Sequence, residues 1–203
     1  GGSFGGKMYV KTELYAVALS LKTKCPVRVM ISRGEEFGMA VRGASVTTIR
    51  SGVKKDGTIT AREVSTVWDT GAYADCGPVV CYLSGHASPG PYCIPNSKVD
   101  GYTVYTNKNI SVAYRGYGVQ ETAFAYESHM DEIAHRLKMD PVQLRLKNAL
   151  RVGDAGSTGQ IIDCGGLVEC IELVAKEMDW DGFNQRVRRV EECNGRKIYR
   201  GHG

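Results

Sequence analysis

The chain has 203 residues, of which 42% are hydrophobic, and a formal net charge of +4. This length can bury one large core or two small ones, and no apolar run approaches the roughly 18 residues that a membrane-spanning helix needs. The densest basic cluster, over 186–200, is interrupted by Glu191 and Glu192 and lacks the continuous stripe typical of nucleic-acid binding, so we expect neither a membrane span nor a nucleic-acid partner.

The first half of the chain is predicted to mix helices and strands. Apolar residues at helical spacing predict a helix over 8–24, which Pro26 ends. Asp56-Gly57 lies between two β-rich segments and is typical of a tight hairpin turn. The predicted strands are 27–31, which should be buried, 46–54, 58–68, 99–106 and 110–114, with a loop and a short helix over 69–95.

The second half is predicted to be mainly helical. A long amphipathic helix is expected over 119–138, and Asp140-Pro141 indicates a second helix that runs to about Leu150, with Asp as N-cap and Pro in the first helical position. A polar loop over 153–165, helices near 167–178 and 181–192, and the start of a strand at 196–203 complete the prediction. The fold class is therefore α+β, a mixed sheet packed by helices with a helical C-terminal portion.

Seven cysteines are spread over the chain without a Cys-x-x-Cys pair. Zinc and iron–sulfur sites need ligands that are more closely spaced. The cysteine count is odd and the chain is long, so a disulfide framework is not expected. We interpret the cysteines as free thiols, most of them packed as small apolar groups.

Two glycine-rich turns are the most informative features. The first loop is Gly1–Lys7 (GGSFGGK) with Met8 after it, and the second loop is Tyr114–Gly118 (YRGYG). Glycine lets the backbone approach a ligand closely, and successive exposed N–H groups form concave sites for anions or polarised oxygens. Each loop also carries an aromatic side chain, so the pair suggests a site where cofactor oxygens and a flat substrate meet.

Three other interpretations of these loops are weaker or less specific. The first loop has the glycine spacing and lysine of a phosphate-binding loop, but Met8 stands where a magnesium-binding Ser or Thr belongs. The second loop begins like a dinucleotide fingerprint, but Glu121 replaces its third glycine. Either loop could also be a plain turn between two elements.

Taken together, these residues resemble the molybdenum hydroxylases, the family of xanthine dehydrogenase, aldehyde oxidase and nicotinate dehydrogenase. The first loop resembles the family's first molybdenum-site loop, with Ser3 in place of a more usual Gly, and Ala113–Gln120 (AYRGYGVQ) resembles the second. The residues that keep the family's order elsewhere are Pro26-Val27-Arg28, Arg33, Glu35, Glu36, Arg42, Asp56-Gly57, Glu127, Met130-Asp131, Asp140-Pro141, Arg145 and Lys147-Asn148.

The resemblance implies a fragment of the molybdopterin-binding large subunit. Residues 1–165 would be part of a first molybdopterin-binding domain, and 166–203 a helical segment leading to a second such domain. The family's glutamate base would lie beyond Gly203, so no catalytic residue is assigned in this chain. The expected cofactor is molybdenum-molybdopterin, with or without a cytosine dinucleotide, while [2Fe–2S] clusters and FAD would be held by companion domains or subunits.

The implied reaction is hydroxylation of an aldehyde or N-heterocycle with water as the oxygen source, with electrons passing to the iron–sulfur and flavin partners. The resemblance assigns cofactor binding to Gly2, Phe4, Gly5, Arg115 and Gly116, with backbone contacts from Phe4 and Arg115 to the molybdenum-site oxygens. It assigns the substrate pocket to Tyr117, Met8 and Ala74.

Two of these pocket residues depart from the xanthine-specific pattern. Met8 stands where those relatives have Glu, and Ala74 stands where an ungapped run from Arg42 places their Arg. Because a site that reads buried polar atoms needs paired donors and acceptors, this apolar wall favours an aldehyde or a less polar ring.

The alternatives are a non-catalytic structural or interaction domain and a degenerate phosphate-loop module. A cytoplasmic, oligomeric enzyme is the expectation that accompanies the resemblance.

Overall fold

Residues 4–8, 10–185 and 190–199 are described by the computed structural model, and they form both helices and strands. The helices are α1 (Glu13–Thr23), α2 (Arg33–Met39), α3 (Gly77–Ala87), α4 (Val119–Leu137), α5 (Pro141–Asn148), α6 (Leu167–Glu177) and α7 (Trp180–Gln185). The strands are β1 (Val41–Arg42), β2 (Ser45–Val53), β3 (Ile59–Gly71), β4 (Asn96–Tyr105), β5 (Ser111–Val112), β6 (Val190–Cys193) and β7 (Arg196–Tyr199). The predicted α+β class with a mixed sheet is confirmed.

The central sheet has the strand order β2–β3–β4. Strands β2 and β3 are antiparallel and joined through Asp56-Gly57, where Gly57 has φ +86° and the Asp56 carboxylate accepts the N–H of Thr58 at 3.1 Å. The predicted hairpin is thus confirmed. Strand β4 pairs with β3 in parallel, because helix α3 carries the chain back to the same end of the sheet.

One hydrophobic core lies between the start of β3 and helices α4 and α5. Its buried side chains are Ile59, Tyr92, Ile94, Met130, Ile133, Ala134 and Leu144. Asn148 is 3% exposed. Its amide donates to the carbonyls of Gly57 and Leu144 and accepts the N–H of Ile59, each at 2.9 Å. One side chain therefore ties the end of α5 to the β2–β3 turn.

A buried arginine links the sheet to α4. Arg62 on β3 is 2% exposed, and its guanidinium donates to Ser51 Oγ at 3.1 Å and to the carbonyl of Pro89 at 2.7 Å. The same Ser51 oxygen lies 3.0 Å from Nε2 of His129 on α4. Burial lowers the pKa of Arg62, and burial together with the charge of Arg62 lowers the pKa of His129.

A second, smaller core supports the segment that precedes α4. It contains the buried side chains of Trp68, Val80, Cys81 and Ala113, with Cys76 and Tyr117 packed against it. Strand β5, which leads into this segment, pairs in parallel with β1. The two-stranded β1–β5 ladder and this core therefore set the position at which the chain enters the second loop.

Three predictions of local structure were wrong in whole or in part. Residues 27–31 form no strand and are not buried, and the helix predicted over 8–24 extends over Glu13–Thr23 in α1. The predicted helix 181–192 ends at Gln185 in α7, and Val190–Cys193 instead pairs antiparallel with β7 as a hairpin. The predicted strand start at 196–203 is confirmed over Arg196–Tyr199.

The C-terminal helices contact the preceding ones through a polar bond. Trp180 Nε1 on α7 donates to Asp140 Oδ2 at 2.8 Å, and the other carboxylate oxygen of Asp140 caps α5 by accepting the N–H of Val142 at 2.8 Å. The predicted N-cap is thus confirmed, while the division into domains at residue 165 stays a prediction. Within the described ranges, no helix has the length and apolar character that crossing a membrane requires.

Candidate cofactor-binding site

The two glycine loops meet although more than a hundred residues separate them in the chain. The N–H of Arg115 donates to the carbonyl of Phe4 at 3.1 Å, and the Arg115 guanidinium carbon lies 5.3 Å from the centre of the Phe4 ring. A guanidinium over an aromatic face is attracted to the negative face of the ring. One backbone bond and one side-chain contact therefore join the loops.

The first loop turns through left-handed backbone conformations. Phe4 has φ +51° and Gly5 has φ +100°, a region that residues with a Cβ rarely occupy. An ideal Cβ placed on Gly5 would overlap the carbonyl oxygen of Ala113, immediately before the second loop. Glycine is therefore required at position 5 both by its own conformation and by the approach of the other loop.

The second loop contains three consecutive residues with positive φ. These are Gly116 at +92°, Tyr117 at +51° and Gly118 at +86°. A Cβ on Gly118 would lie 2.9 Å from Cη2 of Trp68, so this glycine lets the loop settle on the smaller core. A strained non-glycine residue such as Tyr117 persists only where its surroundings hold it, and the loop is accordingly anchored at several points.

One of these anchors was not found from the sequence. The side-chain amide of Gln120, in the first turn of α4, donates to the carbonyl of Arg115. Gln120 ends the motif Ala113–Gln120 on which the resemblance rests, but no role was assigned to it. Its position two residues after the last glycine is a further signal, since an amide that close to a turn can reach back to the backbone of the loop.

The predicted substrate residues are partly brought together. Tyr117 Oη donates to Met8 Sδ at 3.4 Å, so these two side chains from different loops are in contact. Ala74 is half-buried at the approach to α3, where its carbonyl accepts the hydroxyl of Thr70 at 2.7 Å. Within the described part of the chain, no hydrogen bond joins Ala74 to Met8 or Tyr117.

The predicted cofactor residues have different surroundings. Gly2 lies outside the described residues. In the described ranges, the backbone N–H groups of Gly5 and Gly116 have no protein acceptor and can donate to a ligand. The N–H of Arg115 differs, because it donates to the Phe4 carbonyl in this structure, and its contact with a cofactor oxygen stays a prediction.

Two titratable groups near the loops have shifted pKa values. Burial raises the pKa of the Cys76 thiol, and its hydrogen bond to Asp75 acts in the same direction. Hydrogen bonds from Lys108, Thr106 and the N–H of Gly71 lower the pKa of Asp69 to about 2. The Asp69 carboxylate is therefore ionised near neutral pH and fixes the turn at the end of β3.

The residues that the structure describes include no group of three or more His, Cys, Asp or Glu side chains placed to hold a metal ion. The fit to the expected cofactor rests on the donor set, since the N–H groups at Gly5 and Gly116 are of the kind that hold anionic or polarised oxygens.

The geometry defines a class of protein: an α+β module in which two glycine loops, remote in sequence, face one another with backbone donors and aromatic rings. The profile of the molybdopterin cofactor-binding domain family matches residues 1–149. The chain belongs to this family, as the resemblance predicted.

Similar proteins carry the names of molybdenum enzymes. The nicotinate dehydrogenase large molybdopterin subunit of Eubacterium barkeri is 38% identical over 174 residues, which are 85% of this chain and 41% of that protein. The xanthine dehydrogenase molybdenum-binding subunit of Escherichia coli is 36% identical over 201 residues, which are 97% of this chain and 26% of that protein. The aldehyde oxidoreductase structure from Desulfovibrio desulfuricans superposes with a TM-score of 0.84 at 31% identity, covering 92% of this chain and 20% of that one. The chain thus spans less than half the length of these relatives.

Proposed function

We propose that this chain forms the loop-bearing part of the molybdopterin site in a molybdenum-dependent hydroxylase or dehydrogenase, which oxidises an aldehyde or an N-heteroaromatic ring with water as the oxygen source. The observation that carries the proposal is the meeting of the two loops through the Arg115 N–H and the Phe4 carbonyl. The meeting of two loops remote in sequence supports the proposal, because a cofactor site built from both loops requires them to lie side by side.

The backbone is the part of this chain that would hold the cofactor. The N–H groups of Gly5 and Gly116 would donate to its oxygens, and their fixed positions make them a preorganised donor set. The Arg115 N–H can join them only after its bond to Phe4 breaks, at a net cost of about 0.5–1.5 kcal/mol. The cofactor, when bound, supplies the redox chemistry.

Met8 and Tyr117 would form one wall of the substrate pocket. The Tyr117 ring can lie against a flat substrate, and its hydroxyl, which now donates to the Met8 sulfur at 3.4 Å, can turn to a ring nitrogen or a carbonyl oxygen. A thioether is a weak acceptor, so little is lost in that exchange. With Ala74 the wall is mostly apolar, which favours aldehydes and pyridine-like rings over purines.

The remaining parts of the enzyme would lie outside this chain. A glutamate base, [2Fe–2S] clusters and FAD are assigned to other segments or subunits. The reaction needs the clusters and FAD because it releases two electrons, and it needs the base because it also releases protons. The proposal admits both the plain and the cytosine dinucleotide form of the cofactor, and a cytoplasmic oligomer is the expected assembly.

The first test is metal and pterin analysis of the whole protein, purified with its companion subunits from a host that makes the cofactor. We expect about one molybdenum and one oxidised pterin for each large subunit. Folded protein without either would refute the proposal and favour a structural domain. Stabilisation by a nucleoside triphosphate, lost on a Lys7 substitution, would instead support a phosphate-loop module.

A substitution at Tyr117 tests the assignment of the substrate wall. Tyr117→Ala should raise KM for a ring substrate roughly 3- to 10-fold, because an aromatic contact contributes about 0.5–1.5 kcal/mol, with a smaller effect on kcat. Tyr199→Ala on β7 is the control, since that ring is 74% exposed and remote from both loops in sequence. An unchanged KM in Tyr117→Ala would remove Tyr117 from the pocket.

A further inference from the structure

A single arginine contacts residues on both sides of the second loop. Arg42 lies at the end of β1, where it pairs with Val112 of β5. Its Nε donates to the carboxylate of Glu121 in the first turn of α4. Its guanidinium carbon also lies 5.1 Å from the centre of the ring of Tyr114, the first residue of the second loop. The two partners are seven residues apart, and the glycine turn lies between them.

The chemistry of this contact requires arginine rather than any cation. A guanidinium is planar and can stack on a ring with its face while it donates to a carboxylate with its edge, whereas an ammonium offers no such plane. The Glu121 side chain is 19% exposed, and in the described part of the chain its second oxygen is buried without a hydrogen-bond partner. Arg42 is therefore the cation that compensates a mostly buried carboxylate.

The loop between the two partners needs such support. Its three residues of positive φ include Tyr117, whose Cβ makes a left-handed conformation unfavourable. The Gln120 amide fixes the carbonyl of Arg115 to the first turn of α4. Arg42 connects both ends of the turn to a different element, because its own backbone belongs to the β1–β5 ladder.

We propose that Arg42 is a positioning residue for the second loop. By holding Tyr114 and Glu121 at once, it sets the distance between the two ends of the turn, and so the placement of the Gly116 N–H toward cofactor and of the Tyr117 ring toward substrate. The identity of the two ligands, cofactor and substrate, rests on the proposed function. The contacts of Arg42 with Tyr114 and Glu121, which we call the clamp, can be tested without either ligand.

The experiment compares Arg42→Met, Arg42→Lys and Glu121→Gln in the whole protein by hydrogen–deuterium exchange of peptides that cover 113–122. Arg42→Met should speed exchange in this segment roughly tenfold, since a ring contact and an ion pair are both lost, and Arg42→Lys should restore little of the protection. Arg50→Met is the matched control. Arg50 is a surface arginine on β2, 79% exposed, that pairs with Glu63 at 3.7 Å.

Cofactor content and steady-state kinetics supply the second readout. In Arg42→Met we expect less molybdenum and pterin for each subunit, or a higher KM with a nearly unchanged kcat. The melting temperature should fall further than in Arg50→Met, because the mostly buried Glu121 carboxylate loses its cation. Exchange over 113–122 equal to that of Arg50→Met would overturn the clamp. A wild-type protein without molybdenum would overturn the proposed function, and with it the ligand role of the clamp, even if Arg42→Met loosened the loop.

Discussion

The requirement for glycine at position 5 makes the sharpest prediction for cofactor binding. Gly5→Ala introduces a single methyl group at a residue with φ +100°, where that group would overlap the carbonyl oxygen of Ala113. The loops must then separate, which breaks the bond from the Arg115 N–H to the Phe4 carbonyl. The change is chemically small, so any large effect reports on the geometry of the loops.

The size of the effect follows from the strain that the methyl group adds to the joined loops. A left-handed conformation costs a residue with a Cβ about 1–2 kcal/mol, and the overlap with the Ala113 carbonyl oxygen adds to this cost. The joined loops are therefore disfavoured by at least about 1–2 kcal/mol, which is roughly a 5- to 30-fold change in the equilibrium. A fall of that order in the protein's affinity for the cofactor should be visible in its molybdenum content.

The assay is molybdenum and pterin content of the purified whole protein, with circular dichroism and the melting temperature as checks on folding. Gly38→Ala is the matched control, because Gly38 in α2 has an ordinary φ and a methyl group added there would meet no other atom within 4 Å. Wild-type molybdenum content in Gly5→Ala would show that the loops do not form the site as proposed, whereas loss in Gly38→Ala as well would indicate a general defect.

The remaining predictions concern stability and pH. Asn148→Ala should lower the free energy of unfolding by about 2–4 kcal/mol, because the N–H of Ile59 and the carbonyl of Gly57 would be left buried and unpaired. Urea titration measures this free energy, and a loss below about 1 kcal/mol would contradict the prediction. The lowered pKa of His129 means that the unfolded chain takes up a proton near pH 6.5 while the folded one does not, so stability is full above about pH 6.5 and declines below it by at most about 1.4 kcal/mol per pH unit. His129→Gln should remove that part of the slope between about pH 7.5 and 5.5, and an identical slope in both proteins would refute the assignment.

Local signals in the sequence predicted those elements whose cause is local. Asp56-Gly57 specified its turn because glycine supplies the positive φ that the turn requires, and Asp140-Pro141 specified a helix start because both residues act within one helical turn. The two loops were recognised from their glycine-rich motifs, although the need for Gly5 and Gly118 also depends on Ala113 and Trp68, which lie elsewhere in the chain. For the hairpin turn and the helix start, the cause lies within a few neighbouring residues.

The errors and omissions have a tertiary cause. The apolar run 27–31 has the composition of a buried strand, but a strand forms only where a neighbouring strand pairs with it, and the sequence names no such neighbour. Residues 190–193 continue a helical pattern, yet their pairing with Arg196–Tyr199 through Asn194-Gly195 prevails. Arg42 resembles any surface arginine until the fold brings it to Tyr114 and Glu121.

The contact between Phe4 and Arg115 also limits when the two loops can come together during synthesis of the chain. A ribosome that adds about 5–20 residues per second delivers the second loop roughly 5–20 s after the first. During that interval the first loop has none of the partners that hold it, since Ala113 and Arg115 do not yet exist as folded neighbours. Under the proposed function, cofactor insertion at these loops would therefore be a late event, and a nascent chain that stalls before residue 115 would carry only the first of the two loops.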